Sequence, residues 1–131
     1  MHIKMDAENI AIGGFDAVTF FNNNLPKKGK KEFSHDWKGS KWYFSSGANQ
    51  ELFRRAPEKY APQFGGYCAW AVSHGYTANG DPSVWKIVNG KLYLNYNLQI
   101  KEKWETEQQT LIQDGEKNWE ELKIKMPEHN G

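Results

Sequence analysis

Cys68 is the one soft, nucleophilic side chain in this 131-residue chain, and a Gly65-Gly66 step leads into it through Tyr67. The run Cys68-Ala69-Trp70-Ala71-Val72 is helix-compatible, with Gly75 as its C-cap and His74 in its last turn. Cys68 then falls in the first turn, where unpaired amides and the positive end of the helix dipole favour a thiolate, a better nucleophile and a better metal ligand. The same thiol, between Tyr67, Ala69 and Trp70, equally suits a small volume in a core, since free cysteine is among the most buried residue types. His35 and His74, the histidines away from the termini, are the candidate helpers: as ligands to copper or zinc beside Cys68, or as a base if the thiol is a nucleophile. Cys68 and His74 stand six positions apart, about 240° around a regular helix, so a joint site requires the helix to end between them. Tyr67 and Trp70, with Tyr76, supply rings that can wall a small-ligand pocket next to the sulfur.

The elements that must hold these residues read as follows. Ile10, Ile12 and then Val18, Phe20 alternate around Gly13-Gly14, as two short strands about a turn, with Asp16 placed to hydrogen-bond nearby amides. Residues 22–32 are a polar loop, and its lysines 27, 28, 30 and 31 read as solvated, with a polyanion or lipid contact as the second reading. Phe33, His35 and Trp37 share one face of a strand that turns at Lys38-Gly39-Ser40 and returns through Trp42 and Phe44. His35 on that face reads first as a half-buried, hydrogen-bonded histidine. Ser46 caps a helix with Leu52, Phe53 and Ala56 as its apolar edge, and Pro57 stops it; one further turn fits before Pro62, and Gln63-Phe64-Gly65-Gly66 is irregular. Gly80-Asp81-Pro82 is a turn. Val84–Val88, Asn89-Gly90 and Leu92–Tyr96 then give the clearest hairpin in the chain. Asn97 caps a last helical region whose stripe of Trp104, Leu111, Ile112, Trp119 and Leu122 lies on the sheet, with Gly115 a bend or a close packing point and 126–131 a frayed tail. The fold class is α+β: a small, mainly antiparallel sheet of hairpins with helices packed against it, in a single domain over 1–131.

Composition sets limits. Six Trp, six Tyr and seven Phe build a core of rings, and a mean hydropathy of -0.84 points to a soluble protein. A formal charge of +1 offers no field for a nucleic acid, and no apolar run reaches the ~20 residues of a membrane helix. One cysteine permits no internal disulfide. The first residues, MHIKMDAENIAIGG, show no apolar leader segment or cleavage site; the chain as it stands reads as cytoplasmic, and as periplasmic if a leader has been removed.

The segment Phe33-x-His35, Lys38-Gly39, Trp42-Tyr43-Phe44-Ser45-Ser46, Phe53 and Pro57-x-x-Tyr60 resembles the YHS domain. Residues 11–18, Gly66-Tyr67-Cys68-Ala69, Gly80-Asp81-Pro82 and 90–97 look like the longer stand-alone bacterial members, so the resemblance runs from about 9 to 119. It implies a small cysteine-bearing module of the kind that binds transition metals and occurs attached to copper- and heavy-metal-transporting ATPases. Its two implied ligand cysteines match Ser45 and Asn49 here, neither of which suits a soft metal. The leading expectation is a non-enzymatic domain binding a metal ion or small ligand near Cys68, with no nucleic acid and no membrane insertion. A thiol-dependent enzyme and a protein-interaction scaffold are the alternatives.

Overall fold

The computed structural model describes residues 3, 5, 8–22 and 25–125; the expected frayed tail, 126–131, lies outside them. Along the chain come α1 (Thr19–Asn22), β1 (Lys30–Trp37), β2 (Ser40–Phe44), α2 (Gly47–Arg55), α3 (Pro57–Tyr60), α4 (Ala69–Ser73), β3 (Asp81–Val88), β4 (Lys91–Asn95), α5 (Leu98–Thr106) and α6 (Gln108–Lys125). Short 3₁₀ turns occupy Ile12–Gly14 and Gln63–Gly66. The class is α+β, with the antiparallel hairpins forming two two-stranded sheets, β1-β2 and β3-β4.

Around the first hairpin the core is aromatic. Trp42 and Phe44 alternate inward from β2, and the ring of Phe53 on α2 lies 4.9 and 5.0 Å from theirs. Ser46 starts α2 by accepting the amide of Asn49 at 3.1 Å, and Pro57 opens α3 at its first turn, where a missing N–H costs nothing. Phe53 is fully buried, which turns Leu52, one residue and ~100° round the helix, outward; Leu52 is 42% exposed and does not join the apolar edge.

Val18 and Phe20 are not in a strand. Asp16 bends the chain into α1: its Oδ1 accepts the Val18 amide at 2.9 Å, and its backbone oxygen accepts the amide and hydroxyl of Thr19 at 3.1 and 2.6 Å. A short polar side chain offering such local bonds outcompetes a ladder. Lys28 is not a freely solvated loop residue either, since its ammonium donates to the Gly13 carbonyl at 2.8 Å and lies 4.9 Å from the centre of the Phe15 ring.

The second hairpin turns at Asn89 and Gly90, with φ of 51° and 75°, the left-handed pair that a two-residue hairpin loop requires. Asp81 and Pro82, expected in a turn, belong to β3; the register slips between Asp81 and Trp85, the kind of irregularity where a strand tolerates proline. β4 is buried from Leu92 to Asn95. Leu92 and Leu94 enter the core of Trp42, Phe44 and Phe53, while Tyr93 enters a second cluster with Phe64, Val72, Trp104, Leu111 and Trp119.

The last helical region breaks at Glu107 (φ -132°, ψ 41°), not at Gly115. Gly115 is instead the close packing point: a Cβ there would sit 2.8 Å from Cζ of buried Phe64. The apolar stripe of α6 accordingly lies on α4 and on the Gln63–Gly66 turn, reaching the sheet through Tyr93.

Gly115→Ala tests that contact. Alanine favours a helix by ~1 kcal/mol, but forcing a methyl into a packed ring costs about 1–3 kcal/mol, so urea denaturation should show a net loss of up to roughly 2 kcal/mol. A second expectation concerns alkaline pH. Burial holds the phenols of Tyr67 and Tyr93 above their ordinary range, and the charge of Glu116 adds to the rise at Tyr93. The unfolded chain therefore ionises first; stability is intact below about pH 10 and is lost as pH rises from there through the folded values. Denaturation at stepped pH should show this fall, with Tyr93→Phe flattening part of it.

Candidate functional site

Asn95, the last residue of β4, gathers the site. Strand alternation puts it on the same side as Tyr93, facing α4, where it is 1% exposed. Its Oδ1 accepts the Trp70 amide at 3.0 Å and lies 3.5 Å from Sγ of Cys68 as the acceptor of the thiol proton. Because a backbone N–H needs an acceptor, Trp70 fixes which way the amide points, and Nδ2 is left buried with no hydrogen-bond partner among the described residues. Cys68 is held by its backbone, its amide donating to Ala78 O at 2.9 Å and its chain pairing with Leu94 of β4.

This geometry corrects the reading of Cys68 as a first-turn residue. Cys68 is the N-cap of a helix of five residues and makes no capping bond with its own side chain. The amide that was to stabilise a thiolate is already engaged by Asn95.

Cys68 nonetheless lines an opening. A cavity of about 190 Å³ is bounded by Cys68, Trp70, Ala71, Tyr76, Ala78, Tyr96 and Ile100. Trp70 forms a wall, with Tyr76 edge-on to it at 6.3 Å, and Tyr76 and Tyr96 are half exposed at 48% and 55%. Tyr67 is not part of this wall: its ring packs 6.0 Å from Trp119 in the second cluster. Asn95, Tyr96 and Ile100 were not expected at the site. The signal for Asn95 was present, a polar residue ending an apolar strand on the inward register; for Tyr96 and Ile100 there was none short of the tertiary arrangement.

His74 is the C-cap of α4 and exposed. It stacks on the Trp70 ring at 4.0 Å, with Nδ1 2.8 Å from Trp70 O, a contact that places the ring proton on Nδ1. The helix does end between Cys68 and His74, yet the imidazole supports the outer side of the Trp70 wall. His35 lies on β1, edge-on to Phe53 at 6.2 Å, in register with Trp42. Among the described residues no three of His, Cys, Asp and Glu are grouped so as to hold a metal ion, so His35, Cys68 and His74 do not form a three-ligand centre.

A second polar cluster lies at the junction of β2 and α2. The carboxylate of Asp16, fully buried, accepts at Oδ2 the amide of Ser45 (2.8 Å), the hydroxyl of Ser45 (2.7 Å) and the side-chain amide of Asn49 (2.9 Å). These are the two positions at which the YHS resemblance implies metal-ligating cysteines. The groups present do not fit such an ion: a hydroxyl and an amide N–H are poor partners for a soft metal, and both are spent as donors on one oxygen.

Truncating the organising side chain should be costly. Asn95→Ala strands the Trp70 amide and removes the partner of the Cys68 thiol, for an expected loss of about 1–3 kcal/mol in denaturant unfolding. His74→Ala, at an exposed position, should stay within roughly 0.5 kcal/mol of wild type.

Against known proteins, the family model described as YHS domain matches residues 23–64, about a third of the chain, and Cys68 lies just beyond its end. No curated protein and no solved structure matches. No helix among the described residues is long and apolar enough to cross a membrane. The matched stretch contains the β1-β2 hairpin, α2 and the Pro57-x-x-Tyr60 turn, and over it the chain is similar to the YHS domain.

Proposed function

We propose that this protein is a small binding domain that takes a compact, mainly apolar organic ligand in the cavity beside Cys68 and carries out no chemistry on it. The observation that carries this reading is the cavity itself: about 190 Å³ with aromatic and aliphatic walls next to a buried thiol. An apolar cavity of 150 Å³ accommodates benzene, so the volume suits a ligand of one ring with a few substituents, below the 300–1,000 Å³ of ordinary drug-sized sites. Tyr76 and Tyr96 at the opening are amphipathic, suited to covering an apolar ligand while their hydroxyls face water.

The inert reading of Cys68 rests on its bonding. The thiol donates to Asn95, and His74 has Nδ1 against a carbonyl and its ring on Trp70. A copper or zinc ion at this sulfur would lack the convergent ligands that such ions require.

Titration of the reduced protein with phenol or indole, followed by amide NMR, is the test. Saturable shifts are expected at Trp70, Ala71, Ala78 and Ile100, in the millimolar range fitting so few ligand atoms. Ala78→Leu, which adds bulk at the cavity lining, should abolish them with the rest of the spectrum retained. Silence in the wild type, or equal uptake by both proteins, refutes the proposal. Labelling of Cys68 by iodoacetamide should slow as the probe saturates.

A further inference from the structure

We infer that the β2-α2 junction of this chain, where its family resemblance implies a metal site, is a closed carboxylate lock: Ser45 and Asn49 serve as hydrogen-bond donors to Asp16 and ligate no metal. The inference is independent of the cavity at Cys68.

The lock is complete within itself. One oxygen of Asp16 takes three donors from the junction, and the other takes the Val18 amide, so a single buried carboxylate ties α1 to the end of β2 and to the first turn of α2. A cation entering at Oδ2 would displace all three donors and leave a buried backbone N–H of Ser45 without a partner. Charge-assisted bonds of this length are about twice as strong as neutral ones, which sets the lock well against such an exchange. The Ser45 bonds also fix the backbone just ahead of Ser46, the residue that caps α2.

The geometry keeps the outline of a site while its chemistry excludes one. Ser45 Oγ and Asn49 Nδ2 lie 2.7 and 2.9 Å from the same atom, so the two side-chain tips converge on one point. What separates this junction from a soft-metal site is the identity of two side chains, a hydroxyl and an amide where thiolates would be needed.

The test is carried out in the Cys68→Ala background, which removes the other thiol. With Ser45 and Asn49 native, Zn(II) and Co(II) titrations should produce no saturable signal, and the Ser45 and Val18 amide resonances should not move. The S45C/N49C variant should gain one Co(II) per chain, seen as thiolate-to-metal charge-transfer absorption and displaced by Zn(II). In the otherwise native chain, Asp16→Asn should speed hydrogen exchange at the Ser45 amide by roughly tenfold or more, the loss of one charge-assisted bond. Uptake of one Zn(II) by the native junction with a shift at Ser45 overturns the inference, as does unchanged exchange in Asp16→Asn.

Discussion

Burial of β4 on both faces is the constraint from which the rest of the molecule follows. A strand with a wet face satisfies its side chains by alternating polar with apolar; β4 reads Leu-Tyr-Leu-Asn and has no wet face over Leu92–Asn95. Its odd and even positions must each find a core, and they do: the leucines meet the Trp42-Phe44-Phe53 cluster, and Tyr93 meets the cluster of α4 and α6. Each large side chain so buried contributes on the order of 1.5–3 kcal/mol, which makes this one strand the seam between the two halves. The backbone edge of β4 is met by the pairing of Cys68 with Leu94, and that pairing places the thiol.

Two buried polar side chains do the positioning that apolar packing leaves undetermined. Asp16 and Asn95 come from unrelated parts of the chain and play parallel roles, each holding the start of a helix against a neighbouring strand. Their difference is in satisfaction. Both oxygens of Asp16 are occupied; Asn95 Nδ2 has no hydrogen-bond partner among the described residues, in the half of the molecule that also contains the Cys68 cavity. A saturated polar cluster rigidifies, whereas an unpaired buried donor carries an energetic cost.

The YHS segment and the cavity thus divide the molecule. Residues 23–64 supply the aromatic hairpin and the Ser45 and Asn49 donors that meet Asp16, and the cavity beside Cys68 is bounded by α4, the loop after it, Tyr96 and the start of α5, all beyond that segment. The second half meets that segment where Leu92 and Leu94 of β4 pack with Trp42, Phe44 and Phe53.

Much of this was legible along the chain, because the signals concerned are local. Asn89-Gly90 demands left-handed dihedrals, Ser46 and Asn97 each cap the helix that follows, and the rings of β1 and β2 alternate with period two; none of these depends on a distant partner. Cys68 was likewise identifiable as a residue at a helix start. What the chain order could not show was which groups meet across 25 to 33 residues of separation: Asp16 with Ser45 and Asn49, Asn95 with Trp70 and Cys68. The outward turn of Leu52 was decided the same way, by what the fold had available to bury. Propensity and capping act within a turn or two of helix, whereas a buried carboxylate or amide is settled only when the whole chain has closed around it, since its stability depends on donors and acceptors that sequence distance conceals.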